Sequence, residues 1–207
     1  MPEHPTLYGL LLCGGASRRM GVDKAALPEP TTGRPLARHL TQILKPYVEH
    51  TCYSVRPGQE IPGLDIPVDL RIEDHVKNQG PMGGILSAFN RKPDVAWLVL
   101  ACDLPHLDTT TIQMLVRHRD PTRPFTAFWN AKKGYPEPLC TVYEPAAMSL
   151  LLAAQQNNQL SPRKVIENSN VSTIPLQNYH PLLNTNTPEE WNEAGGHPIP
   201  EELNSSS

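Results

Sequence analysis

The stretch Leu7-Tyr8-Gly9-Leu10-Leu11-Leu12-Cys13-Gly14-Gly15-Ala16-Ser17-Arg18-Arg19-Met20-Gly21-Val22-Asp23-Lys24 carries the strongest structural signal in the chain. Its first seven residues are a near-continuous apolar run of strand length. That is the pattern of a parallel strand buried on both faces. The run empties into two glycines, two arginines and then a lysine. Glycines let a backbone turn tightly and bring its N–H groups against phosphate oxygens. Arg grips such oxygens in pairs and Lys acts as a point charge. The loop lacks GxGxxG and GxxxxGK[ST], so it is neither a dinucleotide fingerprint nor a Walker loop. The plainer alternative is a Gly-rich turn with solvated basic residues.

A second strong buried strand follows at Val95–Ala101, Val-Ala-Trp-Leu-Val-Leu-Ala, and runs into Cys102-Asp103-Leu104-Pro105. An Asp just past a buried strand can hold a hard cation such as Mg²⁺, which takes one or two carboxylates plus phosphates and water. The alternative is an Asp that caps its own turn. Between these strands, Pro35 opens a helical pattern with Leu36, Leu40, Ile43, Leu44 and Val48 on one face. Cys52–Val55 and Leu70–Ile72 are weaker strands. Met82–Asn90 reads as a helix, and Asp108 caps another carrying Ile112, Leu115 and Val116. Further on, Phe125–Trp129, Leu139–Tyr143 and Val171–Ile174 read as strands, and Pro145–Ala154 and Arg163–Glu167 as helices. Thr187 caps a last helix with Pro188 at its first position. Alternating strands and helices predict an α/β fold, Rossmann-like, with a mostly parallel sheet and helices on both faces.

Two further segments carry candidate ligand groups. Glu73-Asp74 and Gly80-Pro81-Met82-Gly83-Gly84 follow the third strand and open a helix, where a ligand can approach the backbone. Glycines that permit close packing on the sheet are the alternative. Asn184-Thr185-Asn186-Thr187-Pro188-Glu189-Glu190 ends the chain's last extended segment. Thr187 and Glu190 fit a capping box. That leaves Asn184 and Asn186, whose alternation puts both amides on one side of an extended strand.

Composition bounds the rest. The chain has 207 residues, 39% hydrophobic and 19% charged, with a net charge of -3. A chain of this length suits one core. The charge argues against a nucleic-acid partner. No segment reaches the ~20 apolar residues of a membrane helix, and the N-terminus lacks the basic region of a signal peptide. Cys13, Cys52, Cys102 and Cys140 form no CxxC motif and read as free thiols, which fits a reducing cytoplasm. The 23 prolines argue for many short elements joined by stiff connections. Residues 1–194 are expected as a single domain, with a frayed tail at 195–207.

Taken together, the four segments resemble the small nucleotidyltransferases, whose signature G-G-x-S-x-R-M-G-x-D-K stands here as Gly14 to Lys24. Within them the chain resembles the MobA-like molybdenum cofactor guanylyltransferases, through Asp23-Lys24, Cys102-Asp103-Leu104-Pro105 and the Asn-x-Asn-Thr-Pro-Glu-Glu ending. The resemblance covers residues 7 to 194. It implies a nucleotide-diphospho-sugar-transferase-like domain that joins GTP to molybdopterin carrying molybdenum and releases pyrophosphate. Leu12, Cys13, Gly14 and Gly15 would approach the nucleotide with their backbone. Arg19 and Lys24 would meet its phosphates. Ser54, Asp74, Gly80, Pro81, Gly83 and Gly84 would line its side, Asp103 would hold Mg²⁺, and Asn184 and Asn186 would line the molybdopterin side. Catalysis would rest on Arg19, Lys24 and Asp103. Ser54 stands where the family has Asn, and Cys13 where it has Ala. Molybdenum-insertion and molybdoenzyme-maturation proteins would be partners. Two alternatives remain open. One is a cytidylyltransferase for the same pterin or a sugar-phosphate nucleotidyltransferase. The other is a nucleotide-binding module without catalysis.

Overall fold

The computed structural model describes residues 4–15, 20, 23–74 and 79–199. Strand β1 (Leu7–Leu12) is followed by a 3-10 turn at Lys24–Ala26, helix α1 (Leu36–Leu44) and β2 (Thr51–Val55). Next come β3 (Arg71–Glu73), α2 (Pro81–Arg91), β4 (Ala96–Ala101) and α3 (Thr109–Arg117). The second half adds β5 (Phe125–Asn130), β6 (Tyr135–Tyr143), α4 (Ala147–Gln156), α5 (Pro162–Glu167), β7 (Ser172–Pro175) and α6 (Pro188–Glu193).

The seven strands form one sheet in the order β3-β2-β1-β4-β6-β5-β7. Only β6 runs antiparallel to its neighbours. Side chains alternate across β1 and β4 and feed two cores. Leu7 and Leu11 with Ala96, Leu98 and Leu100 face α1 and α3, meeting Leu36, Leu40, Ile112 and Leu115. Tyr8 and Leu10 with Trp97 and Val99 face α2, α4 and α5, meeting Ile85, Phe89, Leu151 and Ile166. Both faces being covered explains why these strands read as continuous apolar runs rather than alternating ones.

The chain direction reverses at β1. The sheet grows outward through β2 and β3, then returns to place β4 on the other side of β1. Ligands of open α/β sheets bind at such a switch point, beyond the carboxyl ends of the strands. Here those ends are Cys13-Gly14 and Cys102-Asp103.

Several boundaries differ from the sequence expectation. α1 stops at Leu44 and leaves Val48 outside it, because Pro46 supplies no N–H to continue the ladder. Val48 still packs on the core from the following turn. β6 begins at Tyr135, four residues before the expected start, and carries Pro136 and Pro138. Prolines are tolerated there because β4 pairs only with Cys140–Tyr143, so the proline half has β5 alone beside it. α4 starts at Ala147, two residues after Pro145, since a turn from Glu144 precedes it. Within the expected tail, residues 195–199 are described and make contacts. Trp191 donates from Nε1 to the carbonyl of His197 at 3.0 Å, and Ile199 packs against the core. Residues 200–207 lie outside the described residues.

Candidate active site

The site is built from the carboxyl ends of four neighbouring parallel strands. β1 delivers Cys13 and Gly14, β2 delivers Ser54, β3 delivers Asp74 and β4 delivers Asp103. Lys24 reaches this edge because Asp23 starts the 3-10 turn: its carboxylate accepts from the Ala25 N–H at 3.0 Å, an N-cap bond.

Lys24 is the hub. Its Nζ donates to Asp103 Oδ2 at 3.1 Å and to Asn186 Oδ1 at 2.8 Å. Residues 79 and 162 positions apart from Lys24 thus meet on one ammonium. Asp103 and Lys24 each leave only 17% of their side chains exposed. Burial raises the Asp103 carboxyl above its ordinary pKa, although Lys24 pulls the other way. One cation therefore leaves this carboxylate under-neutralised.

The terminal Asn segment is docked by backbone. Thr185 N–H donates to the Asp103 carbonyl at 3.0 Å, and Asn186 N–H to Glu190 Oε2 at 2.6 Å. The Thr187 hydroxyl accepts from Glu190 N–H, as the capping box predicts. The reciprocal arm differs: the Glu190 carboxylate satisfies Asn186 instead of Thr187 and so fixes the residue that holds Lys24. Asn184 is exposed beside this arrangement. The Thr185 hydroxyl is buried and finds no partner among the described residues.

On the β3 side, Gly80 takes φ +54°, a left-handed conformation that favours glycine, and turns the chain into α2 with Pro81 at its start. Gly83 and Gly84 permit close approach. A Cβ on Gly83 would collide with the Asp74 carboxylate, and one on Gly84 with the Ser54 hydroxyl. Ser54 is buried there, while its carbonyl accepts from Cys13 N–H at 2.8 Å. Gly14 is half-buried and Gly15 exposed at the mouth, with Leu12 half-buried below. Arg19 and Arg18 lie outside the described residues. His106, near Asp103, stacks on His180 with ring centroids 4.1 Å apart. Burial, then the neighbouring His180, holds its pKa down.

Sequence reasoning missed Gln59. Its buried amide donates from Nε2 to the Cys13 carbonyl at 3.0 Å and to the Asp23 carboxylate, while its Oε1 accepts from Arg56 N–H at 2.9 Å. One side chain thus clasps both ends of the Gly-rich loop. Burial raises the Asp23 pKa, and the Ala25 N–H and Gln59 amide act against that rise. A polar residue in an irregular loop carries no periodic signal, so only the fold reveals it. At the base of the same loop the Cys13 and Cys102 sulfurs lie 2.9 Å apart. The Cys13 hydrogen bond, then burial, keeps the Cys102 thiol protonated well above its ordinary pKa.

Residues 9–173 match the family model described as MobA-like NTP transferase domain. A Synechocystis protein named molybdenum cofactor biosynthesis bifunctional protein is 35% identical over 189 residues, covering 90% of this chain and 53% of the relative. The chain thus spans about half the length of that relative. A Mycobacterium tuberculosis protein named probable molybdenum cofactor guanylyltransferase is 28% identical over 191 residues, covering 90% of this chain and 92% of the relative. In three dimensions the fold resembles molybdopterin-guanine dinucleotide biosynthesis protein A from Archaeoglobus fulgidus, with TM-score 0.70 and 21% identity over 91% of this chain and 96% of that one. It also resembles the Thermus thermophilus 2-C-methyl-D-erythritol 4-phosphate cytidylyltransferase, with TM-score 0.63 and 11% identity over 90% and 96% of the two chains. With Lys24, Asp103 and Asn186 meeting beyond the strand ends at the switch point and a family match across most of its length, the chain belongs to the MobA-like NTP transferases.

Proposed function

We propose that this chain transfers GMP from GTP to molybdopterin carrying molybdenum, forming the guanine dinucleotide and pyrophosphate. One observation carries the reading: Lys24 joins the nucleotide loop, Asp103 and the Asn184–Asn186 segment in a single contact set. The names of the Synechocystis and mycobacterial relatives support molybdenum cofactor chemistry, and the latter supports guanine.

The terminal phosphate of molybdopterin attacks the α-phosphorus of GTP, and pyrophosphate leaves. The nucleophile is already an anion, so the site needs positioning and charge neutralisation more than a general base. Lys24 neutralises phosphate charge, with Arg19 as a second cation of the loop. The backbone of Leu12, Cys13, Gly14 and Gly15 and the Gly80–Pro81 turn approach the nucleotide beside Ser54 and Asp74. Asn184 and Asn186 face the pterin.

Asp103 is the residue that would hold Mg²⁺. Its under-neutralised carboxylate suits a further cation. Among the described residues no three acidic, His or Cys side chains cluster into an all-protein metal cage. A single carboxylate completed by substrate phosphates matches the way Mg²⁺ binds. When bound, the ion would supply charge neutralisation at the reacting phosphates.

This reading takes residues 1–194 as one catalytic domain working in a reducing cytoplasm, with molybdenum-insertion and molybdoenzyme-maturation proteins as its partners. Among the described residues no helix is long and apolar enough to cross a membrane. A cytidylyltransferase is the second reading, because the fold is shared with a cytidylyltransferase. The test is to incubate the full chain with Mg²⁺, molybdopterin on its carrier and either GTP or CTP. Pyrophosphate and dinucleotide from GTP are expected. Turnover with CTP alone overturns the guanine assignment, and none with any nucleoside triphosphate overturns catalysis.

A further inference from the structure

β1 and β4 run parallel and in register, with Leu12 opposite Ala101. The next residue of each strand is a cysteine, so Cys13 and Cys102 leave the sheet side by side. Their sulfurs are 2.9 Å apart. A disulfide bond is about 2.05 Å long, so less than ~1 Å of approach separates the pair from a covalent link. Cys52 and Cys140 have no such sulfur neighbour among the described residues.

The backbone around the pair is pinned on both sides. Cys13 donates to the Ser54 carbonyl and accepts from Gln59. Asp103, directly after Cys102, accepts from Thr185. The two sulfurs are therefore held together by the fold and do not meet by chance fluctuation. Both are buried, which limits attack to small reagents.

We propose that Cys13 and Cys102 are a redox modification site, forming a reversible intramolecular disulfide under a peroxide-class oxidant. The Cys13 sulfur attacks a peroxide oxygen, its proton leaving with the departing hydroxide as one water, and becomes a sulfenic acid, while Cys102, held as the thiol, is the resolving group. The Cys102 sulfur then displaces the sulfenic oxygen as a second water and closes the S–S bond. Two thiols and one hydrogen peroxide give one disulfide and two waters. A dithiol reductant reverses the link by exchange and leaves as its own cyclic disulfide.

The link has a consequence for the site around Lys24 and Asp103, which rests on the function proposed above. Gly14 follows Cys13 and Asp103 follows Cys102, so closing the bond shifts the phosphate loop and the metal carboxylate together. A displacement near 1 Å at such groups costs roughly 10²-fold in rate. The oxidised protein should lose at least about tenfold in pyrophosphate release, and dithiothreitol should restore it.

The decisive experiment treats the full chain with hydrogen peroxide, unfolds it in denaturant containing N-ethylmaleimide so that every remaining thiol is blocked, and maps the peptides by mass spectrometry. The expected product is a Cys13–Cys102 linked peptide, lighter by two hydrogens and split by dithiothreitol. Cys102→Ala should lose the linked peptide and keep its turnover in peroxide. If both sulfurs instead carry N-ethylmaleimide, or one advances to sulfinic acid without a cross-link, the proposal fails. A link that forms with turnover unchanged overturns the switch while leaving the modification. If the reduced protein shows no turnover with any nucleotide, the enzyme assignment fails, and the peptide map still decides the disulfide. The map uses the unaltered chain, so it stands even if Cys102→Ala fails to fold.

Discussion

Two partly buried ion pairs sit at opposite edges of the sheet, and they are built differently. At the amino edge of β1, Arg119 grips Glu144 with two bonds, Nε to Oε1 at 2.6 Å and Nη2 to Oε2 at 2.9 Å. The same Nη2 donates to the Pro5 carbonyl at 2.7 Å. Such fork-to-fork pairing fixes geometry and leaves little for a ligand to add. At the carboxyl edge, Lys24 gives Asp103 one bond and shares its charge with Asn186. Burial still lifts the Asp103 pKa. The first pair is closed and joins chain segments; the second is open and keeps capacity for more charge. Burial of a charge pair thus does not reveal its role, whereas the saturation of its partners does.

The largest effect should come from breaking the open pair through its cation. Lys24→Met should lower pyrophosphate release by about 10²- to 10³-fold, the usual cost of removing one charge-stabilising donor. Retained turnover would show that Lys24 serves only to anchor Asn186. The closed pair should respond in stability. Arg119→Met strands a buried carboxylate and should cost about 3–5 kcal/mol in urea unfolding. Adding Glu144→Leu should recover most of that loss, since apolar replacement of a whole buried pair is often neutral. No recovery would make the pair more than a structural tie.

Smaller effects sharpen the loop that carries Lys24. Gln59→Glu keeps the size of the side chain but sets an acceptor against the Cys13 carbonyl and the Asp23 carboxylate. Leaving those groups unsatisfied costs about 1–3 kcal/mol, and the KM for GTP should rise about tenfold. The isosteric change should be worse than Gln59→Ala; the reverse order would mean Gln59 acts by packing alone.

A pH series gives the smallest signal. The Asp103 carboxyl is raised in the folded chain, so the fold binds its proton more strongly than the unfolded chain does. Its contribution to stability is full below the ordinary Asp pKa of about 4 and is lost as pH rises through the raised folded value. The stability of Asp103→Asn relative to the parent should therefore grow as the pH rises from below the ordinary Asp pKa through the raised folded one. A flat difference would show that Asp103 is fully neutralised by Lys24.

Legibility from sequence followed the same division. β1 and β4 were readable because two-sided burial makes continuous apolar runs, and the Gly14–Lys24 motif stood out because glycines and cations cluster in its sequence. Asp103 and Asn186 stood out by position in their motifs, yet their meeting on Lys24 needed the crossover order of the sheet. Gln59 was invisible because three polar contacts leave no periodic trace. The Arg119–Glu144 pair was equally hidden: it exists because β6 returns antiparallel and brings Glu144 back to the amino edge beside Pro5. The early start of β6 was masked by Pro136 and Pro138, which ordinarily forbid an inner strand.

If the open pair is kept for chemistry and the closed pair for stability, substitutions in the two should separate activity from stability. That separation is tested by measuring pyrophosphate release from GTP and urea unfolding side by side for Asp103→Asn and Arg119→Met. Asp103→Asn should lose turnover and unfold at the same or higher urea, whereas Arg119→Met should unfold earlier and retain turnover per folded molecule. An Asp103→Asn protein that remains active, or that loses as much stability as Arg119→Met, would contradict that division.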